Sequence, residues 1–202
     1  FGMKIMSFGF ISGNDTPVIW RGPLVARMTE QFFRDVEWGE LDVLILDLPP
    51  GTGDIQLTLT QKLKMTGALM VTTPQDIALA DVRKGSDMFS KVNTPILGII
   101  ENMSGLIIDG TIDNSSTRLE INGENVEVGK DGSFKINIDL FKIGGGEQES
   151  NRLGVPLLGH IPISKKIMVS TDLGIPIATE DPITNIGKIY LDIADKLMNA
   201  IK

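Results

Sequence analysis

Apolar positions along the first hundred residues fall into short continuous runs separated by stretches with helical spacing. Met3 to Phe10 is a short apolar segment that reads as a strand. Pro23 then opens a helix in which Leu24, Met28, Phe32 and Val36 share one face. Val43-Leu44-Ile45-Leu46 is unbroken apolar sequence, as expected of a strand covered on both faces. Asp54 is expected to cap a helix carrying Ile55, Leu59 and Leu63. Ala68 to Val71 is the next buried strand, 76–92 the next helix, and Ile96 to Ile100 another strand. This alternation predicts an α/β protein with a mostly parallel sheet flanked by helices.

The period changes to two between Gly105 and Ile143, with Leu119/Ile121, Val126/Val128 and Phe134/Ile136/Ile138/Leu140 as the alternating pairs. Asn122-Gly123 and Asp131-Gly132 sit at the joints, and both are favoured hairpin turn pairs. The expected organisation is therefore an α/β core over 1–104 and 144–202, with an antiparallel β meander inserted at 105–143. Beyond it come a glycine triplet at 144–146, a strand around Pro156 to Pro162, and a final helix. Asp181 is expected to cap that helix, with Pro182 in its first position and Ile183, Ile186, Ile189, Ile193 and Leu197 along one face.

Bulk properties narrow the choice of function. With 202 residues, 42% apolar and 22% charged, the chain has ordinary globular composition. A net charge of −7 argues against nucleic acid or an anionic membrane as the main partner, since both favour a basic face. No apolar run reaches the roughly 18 residues of a membrane span, and no signal-peptide pattern is present. Without cysteine there is neither a disulfide framework nor a thiolate ligand. A cytoplasmic protein is expected.

Candidate chemistry begins at Asp47. Four apolar residues, an aspartate and a turn rich in proline and glycine make a Walker B pattern. The carboxylate would emerge at the carboxyl edge of the sheet, where open α/β folds bind ligands and where Mg²⁺ takes hard oxygen donors. Gly51 and Gly53 leave backbone N–H groups accessible to phosphate. The plain alternative is an aspartate that ends a buried strand before an ordinary turn. The full string Asp47-Leu-Pro-Pro-Gly-Thr-Gly-Asp54 is far more specific than its apolar half.

That string resembles the Mrp/ApbC family of deviant Walker P-loop ATPases, relatives of MinD and ParA. Trp20-Arg-Gly-Pro23, Thr72-Thr-Pro-Gln-Asp76 and Glu101-Asn-Met-Ser104 carry the same resemblance in the same order. The likeness covers about 1–104 and 144–202. It implies an ATP-binding homodimer that uses Mg²⁺, with iron–sulfur protein assembly as the setting and an iron–sulfur client as partner. It further implies that Asp47 acts on the Mg²⁺ shell, that the Gly51 N–H senses the γ-phosphate, and that Asn102 reads the adenine edge. An amide suits that last task because it offers a donor and an acceptor side by side; a loop-capping asparagine is the alternative. Pro162 would pack on the base or simply end its strand. Thr72, Thr73 and Asp76 are expected to serve the turn into the following helix. Arg21 faces a phosphate, a partner subunit or solvent. The single histidine, His160, has no serine, cysteine or paired carboxylate near it in sequence and reads as a strand-end residue.

Two departures limit what the resemblance implies. No Gly-x-x-x-x-Gly-Lys-[Ser/Thr] loop or its Lys-Gly-Gly variant occurs. In the family it lies upstream of the position of Phe1, so these residues alone are not expected to turn over ATP. A fragment of a longer protein is the simplest account and a degenerate paralogue the other; a missing neighbour strand would leave the Walker B strand with unpaired edges. The Cys-x-x-Cys pair that follows Glu-Asn-Met-Ser in relatives is also absent, and the meander takes its place. Asp109, Asp113, Asp131 and Asp139 do not match calcium-loop spacing. An iron–sulfur cluster on this chain is therefore not expected. The competing readings are a non-catalytic binding paralogue that interacts through the β insert, and a MinD- or ParA-like positioning ATPase. The final helix mixes Asp192 and Asp195 with Lys188 and Lys196 instead of a basic stripe, which argues against membrane targeting.

Overall fold

A computed structural model describes residues 1–12, 22–48, 51, 53–113, 119–121, 123–180 and 182–201. The chain separates into two compact units, Phe1–Thr66 with Lys84–Pro95, and Gly67–Arg83 with Ile96–Lys202.

The first unit is helical among its described residues. A short helix α1 (Gly9–Ser12) precedes α2 (Gly22–Asp35) and α3 (Asp54–Lys62). α2 packs against α3, and Lys62 forms an ion pair with Glu30 between them. The leading segment meets α2 where the Phe8 and Phe32 ring centroids lie 4.8 Å apart, and beyond the helix Trp38 Nε1 donates back to the Phe32 carbonyl at 2.8 Å. Leu59, Met88 and Phe89 are its buried apolar side chains among the described residues.

Two expected strands are not formed here. Residues 1–7 have no regular structure, and 43–48 make no ladder. Leu41, Val43, Leu44 and Ile45 are exposed, Ile45 at 81%. The reason is physical: an apolar run becomes a buried parallel strand only when neighbouring strands accept its backbone groups and helices cover its faces. Among the described residues none does so for 43–48. Nor does Asp54 cap α3. Gly53 holds that position with no side-chain hydrogen bond, and Asp54 is the first helical residue.

The second unit carries the sheet. β1 (Ala68–Thr72) leads into α4 (Asp76–Lys91), whose first half belongs to this unit and whose second half belongs to the first. β2 (Ile96–Thr111) is the central strand, with β1 parallel on one side and β6 (Leu157–Ile163) parallel on the other. β5 (Ser133–Ile138) pairs antiparallel with the far end of β2. Leu106 is opposite both Ile138 and Ile163, so β5 takes the same edge of β2 that β1 occupies further back. β3 (Leu119–Ile121) and β4 (Glu124–Val126) form a separate hairpin; of the alternating positions, Leu119, Ile121 and Val126 lie in it, Phe134, Ile136 and Ile138 lie in β5 of the main sheet, and Val128 makes an isolated bridge to Phe134. The sheet is mixed with a mostly parallel core, as the sequence predicts. β2 runs on as one strand beyond Ile100, where the sequence suggested a stop.

Helices cover both faces of β2. Successive side chains on a strand point to opposite faces. Ile100 joins Leu158, Ile161 and Ile193 in the core beneath α8 (Asn185–Ala200), whereas Glu101 faces α5 (Gly145–Leu153). Gly159 makes the α8 contact close, because a Cβ there would stand 2.7 Å from Ile193 Cγ1. Lys196 adds a 2.7 Å bond to the Leu158 carbonyl. α6 (Lys165–Asp172) and α7 (Ile177–Glu180) link β6 to α8. The cap of α8 is Thr184, whose hydroxyl accepts from the Gly187 N–H at 3.2 Å. Pro182 and Ile183 lie before the helix, and Asp181 is outside the described residues. A cap three residues later than expected leaves Ile183 80% exposed, off the apolar face.

Candidate functional site

A carboxylate at the centre of the sheet organises the second unit. Glu101 is 1% exposed and follows the apolar run Ile96–Ile100 of β2. A buried carboxylate requires compensation, and Glu101 receives it from three directions. Ser104 Oγ donates to Oε1 at 2.6 Å. His160 Nδ1, on β6, lies 3.1 Å from the same oxygen. The Gly146 backbone N–H, in the first turn of α5, donates to Oε2 at 2.5 Å. Burial alone would raise the Glu101 carboxyl; the bonds from Ser104, Gly146 and His160 outweigh it and hold the group below the ordinary glutamate range. The charge also sits at the amino end of α5, the favourable end for an anion.

Tertiary structure thus gives His160 the serine and carboxylate neighbours it lacks in sequence. The trio is not a nucleophile relay. Ser104 Oγ lies 3.2 Å from Nδ1, the same nitrogen that faces Glu101, whereas a relay needs hydroxyl and carboxylate on opposite ring nitrogens. The Ser104 proton goes to Glu101, so Nδ1–H is shared between the carboxylate and the Ser104 oxygen, leaving Nε2 outside the cluster. The arrangement ties elements together.

Between Asn102 and Leu106, β2 spends four residue steps where β6 spends two, from Ile161 to Ile163. The extra length is absorbed by left-handed backbone at Met103 (φ 55°) and Gly105 (φ 80°). For a residue with a Cβ that conformation costs about 1–2 kcal/mol and persists only where surroundings impose it. Two bonds do so: Asn102 Oδ1 accepts from the Met103 N–H at 2.9 Å, and Ser104 is held by Glu101.

A second buried carboxylate fastens α5 to α4. Glu149 is fully buried, with Arg83 at 2.5 Å from Oε1 and Arg152 Nε at 2.5 Å from Oε2. Burial opposes its ionisation, but the two guanidinium groups hold its carboxyl below the ordinary range. Lys142 pairs with Asp76 at 2.8 Å, so Asp76 starts α4 as an ion-pair partner.

The residues expected to bind nucleotide fall as follows. Asp47 and Gly51 belong to the first unit; both are exposed, and Gly51 has φ 99°. Asn102 and Pro162 belong to the second and lie on adjacent strands, Asn102 being opposite Ile161, the neighbour of Pro162. Pro162 is buried and Asn102 half-buried. Thr72 ends β1 opposite Glu101 and is buried, its hydroxyl donating to the Thr73 carbonyl at 3.0 Å. Trp20 and Arg21 lie outside the described residues. Glu101 and Ser104 bound a quoted motif and Gly146 ends the glycine triplet, but the sequence assigned none of the three a role. A charged residue that directly ends an apolar strand run was the available signal for Glu101.

A mostly parallel sheet flanked by helices is the architecture of the open α/β class, whose members take ligands at the carboxyl ends of their strands. The ParA family model, described as NUBPL iron-transfer P-loop NTPase, matches residues 1–127 and 114–198, and the chain belongs to that family. An iron–sulfur cluster carrier protein of Aquifex aeolicus is 39% identical over 203 residues, covering 100% of this chain and 50% of that protein. The iron–sulfur cluster transfer protein NUBPL of Dictyostelium discoideum is 39% identical, covering 100% of this chain and 55% of that protein. The chain therefore spans about half the length of the curated relatives it matches. Among solved structures, a nucleotide-binding protein of Archaeoglobus fulgidus in complex with ADP is 34% identical with TM-score 0.55, covering 75% of this chain and 53% of that one. MinD of Pyrococcus horikoshii, complexed with Mg-ADP, shares the fold at 20% identity and TM-score 0.53, over 90% of this chain and 60% of that one. Among the described residues no helix is long and apolar enough to cross a membrane.

Proposed function

We propose that this chain is the nucleotide-sensing part of an Mg-ATP-dependent, homodimeric ATPase of the Mrp type that acts on an iron–sulfur client. The pairing of Asn102 with the neighbour of Pro162, just past the end of β1, is the observation that supports this reading most. It puts the two residues on adjacent strands at the carboxyl edge of the parallel part of the sheet, the edge where α/β folds take nucleotides. The relatives named as cluster carriers, and the ADP and Mg-ADP held by structural neighbours, supply the substrate and the setting.

The donor set fits that assignment. Asp47 offers the hard oxygen that Mg²⁺ prefers. At Gly51, with its positive φ, the atom found nearest to where a Cβ would be is Gln56 Nε2 at 3.8 Å, and a glycine N–H there suits a phosphate. Asn102 Oδ1 accepts from the Met103 N–H, which orients the amide, and its NH₂ is the donor proposed for the base. Thiolate ligation of an iron–sulfur cluster does not fit, because the chain has no cysteine. The cluster enters this proposal only as the cargo of the client. The insert at 105–143 is proposed as a docking or dimer-edge surface.

The test is ATP turnover by the intact protein carrying these residues. Asp47→Ala should abolish hydrolysis, and Asn102→Ala should weaken preference for adenine over guanine nucleotides. Unchanged hydrolysis in the Asp47 variant refutes the assignment.

A further inference from the structure

The turn that carries Asn102 is held from outside itself. Its backbone passes through the left-handed region at Met103 and again at Gly105, inside a strand that is otherwise paired on β6. The Asn102–Met103 bond closes one side of it. The other side is closed by Ser104, whose hydroxyl donates to the carboxylate of Glu101 three residues earlier. That carboxylate is anchored in turn to β6 through His160 and to α5 through the Gly146 N–H. Gly146 has to be glycine for the approach, since a Cβ there would lie 2.9 Å from Glu101 Cβ. Every oxygen of the carboxylate is used, and Glu101 is too buried to meet a ligand itself.

We infer that Glu101 is a positioning residue for nucleotide specificity: bonded to Ser104, His160 and Gly146, it holds the Met103 backbone in its left-handed turn and so fixes the Asn102 amide. This rests on the proposed role of Asn102 in reading the base. Glu101 acts through the turn and touches neither phosphate nor metal. Loss of its clamp should therefore loosen base selection and leave the grip on the phosphate chain intact.

The experiment uses the intact protein and compares affinities for ATP, GTP and Mg-tripolyphosphate in Glu101→Gln, Ser104→Ala and Asn102→Ala. Glu101→Gln takes the charge from all three bonds and sets an NH₂ against a donor, and should lower the ATP-over-GTP preference about tenfold; Ser104→Ala, which removes one bond, should lower it by less. Tripolyphosphate affinity should stay at the wild-type level in both. A collapsed fold would lose both affinities together, and if Glu101→Gln does not fold, Ser104→Ala alone decides. Wild-type base preference in Ser104→Ala and Glu101→Gln, with preference lost in Asn102→Ala, overturns the proposal. If Asn102→Ala keeps its preference, it is the base-reading role that fails. The clamp is then read from hydrogen exchange at the Met103 amide in Ser104→Ala: faster exchange supports it and wild-type exchange sinks it.

Discussion

The carboxylate of Glu101 and the backbone N–H of Gly146 meet at 2.5 Å, joining the middle of β2 to the first turn of α5 across 45 residues of sequence. The contact unites two needs. A buried carboxylate requires donors, and the first turn of a helix has N–H groups without intrahelical partners. The intervening chain, with the whole β meander, leaves and returns between these two points.

Gly146→Ala tests how tight that junction is. The new methyl would stand 2.9 Å from Glu101 Cβ, 3.1 Å from Oε2 and 3.3 Å from Leu157 Cδ1. α5 would have to retreat and lengthen the bond to Glu101. We expect a loss of about 1–3 kcal/mol, as for overpacking elsewhere in cores. Urea denaturation monitored on the second unit measures it, and a wild-type midpoint would show that the helix start gives way freely.

Glu149 makes the fold sensitive to acid. Its carboxyl is held below its ordinary value of 4.5 because burial is outweighed by bonds from Arg83 and Arg152. A group whose folded value is depressed contributes fully above the unfolded value and loses that contribution as pH falls through the folded one. Glu101, depressed in the same direction, adds to the effect. Stability should therefore be flat from neutrality down to about pH 4.5 as far as these two groups are concerned, then decline. Glu149→Gln should lower stability at neutral pH by about 1–3 kcal/mol and flatten the acid decline. A variant with the wild-type acid profile would remove Glu149 from the account.

Leu158 marks the centre of the core beneath α8. It is 1% exposed and clusters with Ile100, Ile161 and Ile193. Leu158→Ala should cost about 2–5 kcal/mol through lost burial and a residual cavity. Thermal or chemical denaturation reads this directly, and a cost below about 1 kcal/mol would mean that α8 closes over the gap.

Local patterns carried a large share of this structure. The three helices starting near Pro23, Asp54 and Asp76 form, because periodic apolar faces and starting residues are properties of a few consecutive positions. The strands at Ala68, Ile96 and Leu157 form for a similar reason, and Gly123 and Gly132 take the positive φ that their turns demand. Where the pattern was strong but its completion lay elsewhere, the reading failed. Val43 to Leu46 is as apolar as any strand in the sheet, yet pairs with nothing among the described residues. At α8 the sequence pointed to Asp181 as the cap, whereas the side-chain bond to Gly187 places the cap at Thr184.

The motif blocks made the family legible, since Asp47 to Asp54 and Glu101 to Ser104 are contiguous strings whose order along the chain is itself information. The proposed roles of Asp47, Gly51, Asn102 and Pro162 come from that same source. What the sequence by itself determined was thus the class of fold, most of its elements and the candidate nucleotide residues, because each depends on neighbours within a few positions. Only the tertiary structure decided that Glu101 reaches His160 and Gly146, that Ser104 closes the turn beside Asn102, and that Glu149 draws in Arg83. Those contacts span up to 66 residues of chain, and a buried charge finds its partners by where the sheet and helices bring them, for which no local pattern is a guide.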